Sequence, residues 1–331
     1  MSAVGEAHSA HNSVLMLQAR GVNAKFVDLT GWRDHSSYSI DEMIVNHLNG
    51  MDFSTCMPIV TGYVKCSEGI MAKFDRGYSE ITFSKTAVLT DAREGIIHKE
   101  FHLSTGDPKL MGPEKVCIIG NTNFDIADQL ADMAMEAIHP KASKEMELKN
   151  IPIRVTNAFD PGNPGTLISK DYVSPEPRVD MICGRSDILA VEIFDPEMVG
   201  QSGYDHKVLG CFAANKISYI AKNTNANTIT HYVSERSKGL EACLAQIREA
   251  LPAAKVVARP IAIVAVLGSN MKLPGFLSRA ASALASENIN ILALDQCMRQ
   301  VNMQFMLDRE VFKKAQIALH REFVEKEPAH N

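Results

Sequence analysis

Four residues within the stretch Met71–Thr82 have the types and spacing to grip a small zwitterion: Arg76, Gly77, Ser79 and Glu80. The Arg76 guanidinium is a fixed charge with a planar fork that suits a carboxylate or a phosphate. Glu80 can meet an ammonium group. Gly77 permits a sharp turn, and Ser79 is a good N-cap for the helix-like run that extends to Asp91. Such a helix end offers unpaired backbone N–H groups and a partial positive charge, both of which attract anions. Arginine and glutamate on one loop would therefore hold both charges of an amino acid. The same spacing also describes a capped surface helix with a solvated arginine, and the residues alone leave both readings open.

Other polar residues give weaker signals. Glu6 reads as a charge just ahead of the first helix. Asp107-Pro108-Lys109 reads as a turn, either solvated or facing a ligand. His139-Pro140 marks a bend, with His139 satisfied inside the turn. His98 and His102 are four apart, but on an expected strand that spacing gives no shared metal face. No Walker-type lysine loop and no protein-kinase signature is present.

The elements that must position these groups alternate between strand and helix. A first helix is expected from a cap at Ser9 or Asn12 to a stop at Gly21. A strand follows over Asn23–Leu29, and Ser39-Ile40-Asp41-Glu42 forms a capping box that opens a second helix. Pro58–Val64 has the β-branched residues of a buried strand and leads into the 71–82 loop. Gly95–Phe101, Val116–Ile119 and Ile151–Val155 are further strands, the last an edge strand because of Pro152. A helix is expected over Asp125–Met135. The alternation predicts an α/β layer fold with mostly parallel pairing, in which ligands sit at the carboxyl ends of strands.

The chain has 331 residues, 46% of them hydrophobic and 22% charged, with a net charge of -5. That charge supplies no basic field for nucleic acid or an anionic membrane. No apolar stretch is long enough to span a bilayer, and no signal-peptide core is visible at Met1–His8. Seven widely spaced cysteines without a CxxC pair suggest neither a disulfide framework nor a zinc site. A cytoplasmic protein is expected.

Ser174-Pro175-Glu176-Pro177 is a stiff linker. Beyond it the pattern repeats with a period of roughly 73 residues, which points to duplicated small domains. Each copy reads as a βαββαβ unit of the ferredoxin-like kind. The second copy shows no last strand, so one edge of its sheet must be covered from elsewhere.

In order along nearly its whole length, the chain resembles an aspartate kinase of the amino acid kinase family followed by two ACT regulatory domains. Asp75-Arg76-Gly77-Tyr78-Ser79-Glu80 lies where that family carries a Gly-Arg-Gly-Gly-Ser-Asp loop for aspartate. Gly5-Glu6 matches a Gly-Glu that also touches aspartate, Asp107-Pro108-Lys109 an Asp-Pro-Arg near the nucleotide, and His139-Pro140 a His-Pro after a helix end. Pro164–Ile168 matches the end of the kinase domain. Leu273-Pro274-Gly275-Phe276 and Asn288-Ile289-Asn290-Ile291 match the ACT signature. Phe74–Glu80 and Glu136–Pro140 resemble the branch associated with ectoine biosynthesis.

The resemblance implies a truncated amino acid kinase-like sheet sandwiched by helices over 1–172, an ACT domain over 180–259 and another over 260–327. It implies transfer of the γ-phosphoryl group of Mg2+-bound ATP to the side-chain carboxylate of L-aspartate. Arg76 would hold the α-carboxylate, Glu80 and Glu6 the ammonium or orienting contacts, and Ser79 the loop or a ligand oxygen, while Asp107 and Lys109 would lie on the nucleotide side. No protein metal ligand is implied. An amino-acid effector and a homodimer at the ACT pair are also implied. Five features depart from the family pattern. Glu80 replaces an aspartate, Tyr78 a glycine, His98-Lys99 a Thr-Asp pair and Glu136 a lysine, and no Lys-Phe-Gly-Gly-Thr segment is present. The chain is therefore expected to lack the first part of the kinase domain and to be slow or inactive by itself. The alternative is a non-catalytic amino-acid-sensing regulatory subunit.

Overall fold

A computed structural model describes residues 2–32, 37–70, 77–133, 135 and 138–326. Its elements in chain order are α1 (Ser2–Gln18), β1 (Ala24–Val27), α2 (Ile40–Leu48), β2 (Met57–Val60), α3 (Tyr78–Leu89), β3 (Gly95–Lys99) and α4 (Pro108–Met111). Then come β4 (Asn121–Asn123), α5 (Phe124–Asp132), α6 (Pro140–Leu148), β5 (Ile153–Asn157), β6 (Thr166–Ser169) and β7 (Arg178–Phe194). The rest are α7 (Tyr204–Ala214), β8 (Tyr219–Thr224), β9 (Thr228–Ser234), α8 (Leu240–Ala250), β10 (Lys255–Ser269), α9 (Phe276–Ser286), β11 (Ala293–Asp295), β12 (Asn302–Leu307) and α10 (Phe312–His320). They form two compact units, one of residues 1–102 and 136–172, the other of 103–135 and 173–331. No helix among the described residues is long and apolar enough to cross a membrane.

In the first unit β1 and β2 pair in parallel, Ala24 opposite Met57 and Val27 opposite Val60. The expected capping box forms, Ser39 and Glu42 each accepting from the other's end of the first turn of α2. α1 begins well before the expected caps, so Glu6 lies inside the helix and not ahead of it. β5 pairs in parallel with β3 and antiparallel with β6. It is thus an inner strand, not the edge strand that Pro152 suggested. Pro152 precedes the ladder, where it needs to offer only its carbonyl, and that carbonyl accepts from Gly95 N–H at 2.9 Å.

In the second unit β7 and β10 run for 17 and 15 residues and pair antiparallel along nearly their whole length. The sheet order is β11-β12-β10-β7-β9-β8. A register shift between Ile261 and Ile263 divides the long pair. On one side, Ile188–Phe194, β8, β9 and Lys255–Ile261 form a complete βαββαβ unit with α7 and α8. On the other, Ile263–Ser269, β11 and β12 form the second unit with α9 and α10, and Arg178–Arg185 is its missing last strand. The edge that had to be covered from elsewhere is filled by the chain just ahead of the first copy. The 259/260 division falls within the continuous strand β10. Each copy has its own apolar core. One is built on Val191, Val208, Phe212, Leu244 and Ile247, the other on Ile182, Val264, Phe305, Leu319 and Phe323.

Candidate active site

The loop after β2 carries Thr61, Gly62 and Tyr63 at the carboxyl end of a parallel strand. Thr61 Oγ1 accepts from Leu29 N–H at 3.0 Å, which fixes the loop against the strand beside it. The Gly62 carbonyl accepts from Thr82 Oγ1 of α3 at 2.6 Å. A Cβ on Gly62 would lie 2.8 Å from Glu6 Oε2 and 2.9 Å from Ser79 Cβ. A side chain there would therefore crowd both α1 and α3, and both helices approach the loop closely because the position is glycine.

α3 opens on Gly77, which has φ 82° and no side-chain cap. Ser79 is the second residue of the helix and not its N-cap, as the sequence had suggested. The turn reverses through a left-handed residue, and glycine adopts that conformation without strain. Glu80 and Ile81 N–H donate to the Gly77 carbonyl at 3.1 and 3.2 Å, which leaves the N–H groups of Tyr78 and Ser79 without an intrahelical acceptor. The Tyr78 hydroxyl hydrogen-bonds the Glu6 carboxylate, and this bond, with burial second, raises the phenol above its usual range. Tyr63 meets the Tyr78 ring edge-on at 5.9 Å. Glu6 Oε2 is buried without a hydrogen-bond partner.

Glu80 is differently placed. Its Oε1 lies 3.3 Å from Lys99 Nζ, and its Oε2 accepts from His139 N–H at 2.5 Å. The ammonium group it meets is a protein lysine. His139 caps α6 through Nδ1, which accepts from Lys141 N–H at 3.2 Å. The His139 ring packs on Gly77, where a Cβ would come within 2.7 Å of Cδ2. Arg76 and Glu136 lie outside the described residues. Glu6, Ser79 and Glu80 are thus gathered around the Gly62 and Gly77 turns.

Asp107 and Lys109 belong to the second unit. Asp107 caps the short helix α4, accepting Lys109 N–H at 2.9 Å, so the expected turn is one turn of helix. Both residues line a cavity of about 550 Å3 with Met133, Arg185, Arg236 and Lys313. His98 bonds Thr156 Oγ1 at 2.9 Å and His102 bonds Asp160 at 3.0 Å. Among the described residues no group of three or more His, Cys, Asp and Glu side chains is placed to hold a metal ion.

The sequence did not single out Gly62, although a glycine two residues past a β-branched strand end is a signal of close backbone approach. Nor did it pair Glu80 with Lys99, since nothing local links them.

Residues 1–157 match the amino acid kinase family and residues 264–323 match an ACT domain. The aspartate kinase Ask_Ect of Stutzerimonas stutzeri is 47% identical over 327 residues, covering 99% of this chain and 69% of that protein. Aspartokinase 1 of Arabidopsis thaliana is 24% identical over 278 residues, and the chain spans only 48% of its length. Among solved structures, Escherichia coli aspartokinase III, crystallised with aspartate and ADP, superposes with a TM-score of 0.77 at 19% identity, covering 96% of this chain and 74% of that one. Clostridium acetobutylicum aspartate kinase gives 0.76 at 20% identity with the same coverage. At these identities the superpositions speak for the fold. By its match to Ask_Ect and to both domain models, the chain belongs to the aspartate kinase family, with ACT domains following the kinase portion.

Proposed function

We propose that this chain carries the amino-acid side of an aspartate kinase, which transfers the γ-phosphoryl group of ATP to the side-chain carboxylate of L-aspartate. The observation that carries this reading is the Glu6 carboxylate at the Gly62 turn, whose Oε2 is buried without a hydrogen-bond partner. A buried anion without a donor is costly, and a substrate ammonium would satisfy it. Arg76, adjacent to the Gly77 turn in the sequence, supplies the fork for the α-carboxylate. Ser79 and the free N–H groups of α3 support a ligand oxygen. Glu80 holds the loop in place and does not touch the substrate.

The side-chain carboxylate oxygen attacks the γ-phosphorus, the bond to the β-phosphate oxygen breaks, and ADP leaves with 4-phospho-L-aspartate as the product. No protein nucleophile is required, because positioning and charge neutralisation do most of the work in phosphoryl transfer. Magnesium enters as part of the Mg–ATP substrate, and no described residue is assigned to it. Asp107 and Lys109 are assigned to the nucleotide side by the family pattern. The same relationship to Ask_Ect favours a role in the ectoine branch of aspartate metabolism. The ACT pair is read as a site for an amino-acid effector and as the contact of a homodimer. Light scattering would then give twice the 36.3 kDa chain mass, and a monomer would contradict it.

The test is calorimetric titration with L-aspartate together with aspartyl-hydroxamate formation from Mg–ATP. L-Aspartate should bind, and Arg76→Ala should weaken that binding by about 10–150-fold. Hydroxamate formed from glutamate or acetylglutamate instead would overturn the assignment. Binding without transfer would favour the amino-acid-sensing reading.

A further inference from the structure

Glu80 joins three elements at the mouth of the site. It lies in the first turn of α3, its Oε1 faces Lys99 at the end of β3, and its Oε2 accepts the backbone N–H of His139 ahead of α6. The His139 ring in turn rests on Gly77, the left-handed residue that follows Arg76. A position without a Cβ is needed there, so the ring, the turn and the carboxylate fit in one arrangement. The carboxylate and the ammonium are 27% and 29% exposed, so the pair is neither fully solvated nor desolvated. Lys99 stands where the chain's relatives were expected to carry a nucleotide-contacting acid, yet its ammonium points at Glu80.

We infer that Lys99 is a positioning residue for the amino-acid site, acting through Glu80 and His139 to hold the Gly77 turn at the start of α3. The carboxylate of Glu80 accepts a backbone amide that no other group supplies. Lys99 keeps that carboxylate aimed. Without Lys99 the carboxylate can swing toward water, the His139 amide loses its acceptor, and the ring no longer fixes Gly77. The effect belongs to the geometry of the turn, not to the folding of the unit, because the pair is half-exposed and such pairs contribute little stability.

This inference rests on the reading of the turn as an aspartate site, and two independent readouts keep them separable. The first is the dissociation constant for L-aspartate measured on the whole chain. The second is hydrogen exchange of the His139 amide without any ligand. Lys99→Met and Glu80→Gln should each weaken L-aspartate about tenfold, and the double variant should be no weaker than either single one, as expected for residues acting as a unit. The charge-swapped chain carrying Lys99→Glu and Glu80→Lys should recover the ion pair but not the amide acceptor, and so only part of the affinity. His139 amide exchange should speed up in both single variants while the melting temperature stays put. Unchanged aspartate affinity in Lys99→Met, additive losses in the double variant, or a loss confined to nucleotide binding would each overturn the inference. If the native chain bound no L-aspartate at all, the site reading would fail, while slowed amide exchange in the native chain relative to Lys99→Met would still report the Lys99–Glu80–His139 coupling.

Discussion

The turn at Gly77 and the sheet of β7–β12 handle polar groups in opposite ways. At the turn, Glu80 and Lys99 sit half-exposed, Glu6 keeps one oxygen unpaired, and three elements meet through single contacts. In the sheet, Ile263, Val264, Val266, Met303 and Phe305 are sealed from solvent, and the buried His231 has no hydrogen bond at either ring nitrogen, with Asp205 Oδ1 3.8 Å from its Nε2. The sheet is therefore held by apolar area, which no single polar contact controls. The turn is held by directional contacts that contribute little area. Changes in the sheet should move stability, and changes at the turn should move affinity.

The largest effect should come from the sheet. Phe305→Ala removes a ring at the centre of the second copy's core and should cost about 3–5 kcal/mol in urea unfolding. A loss below about 1 kcal/mol would mean that this copy is not held by its apolar faces.

His231 sharpens the same contrast through pH. Burial pushes its imidazole down to about 4 from the usual 6.5, with Asp205 pulling the other way and Lys222 adding to the decrease. Phe212 and Tyr219 flank the ring. Below pH 6.5 the unfolded chain takes a proton that the folded chain refuses until about pH 4. Stability is then complete above pH 6.5 and falls as pH drops through that window, by on the order of 3 kcal/mol at its lower end. His320, lowered in the same direction by burial, adds to the slope. His231→Phe should flatten much of it without loss at neutral pH, because neither nitrogen has a hydrogen bond to lose. An unchanged slope in acid denaturation would contradict this.

At the turn the sizes are smaller and the readout changes. Arg76→Ala should weaken L-aspartate by about 10–150-fold, the range for a hydrogen-bonded charge. Its melting temperature should barely move. Tyr78→Phe keeps the ring against Tyr63 but removes the hydroxyl from Glu6, which should cost about fivefold in L-aspartate affinity. A fall in stability comparable to that of Phe305→Ala would erase the difference between the regions.

Local signals in the sequence were read well. The Ser39–Glu42 capping box depends on neighbours within a few residues. The two-copy repeat was visible for the same reason. Asn288–Leu292, expected as a strand, only leads into the strand at Ala293–Asp295. What was hidden depends on distant partners. The last strand of the second copy comes from Arg178–Arg185, ahead of the first copy, and no periodicity near residue 325 could reveal it. Pro152 suggested an edge strand because the ladder begins one residue after it. Ser79 suggested a cap because a left-handed glycine cap leaves no hydroxyl signature. Of the site, Arg76, Ser79, Glu80 and Glu6 were legible as residue types, and the structure places three of them around two glycine turns. That Glu80 answers to Lys99 and His139 was not legible, since 19 and 59 positions separate the pairs.

The most direct test is calorimetric titration of the native chain and of Glu6→Gln with L-aspartate and with succinate, which lacks the ammonium. The native chain should bind L-aspartate about tenfold or more tightly than succinate, and Glu6→Gln should lose that preference. Equal binding of the two acids by the native chain, or a preference that survives Glu6→Gln, would contradict the assignment of Glu6 to the substrate ammonium.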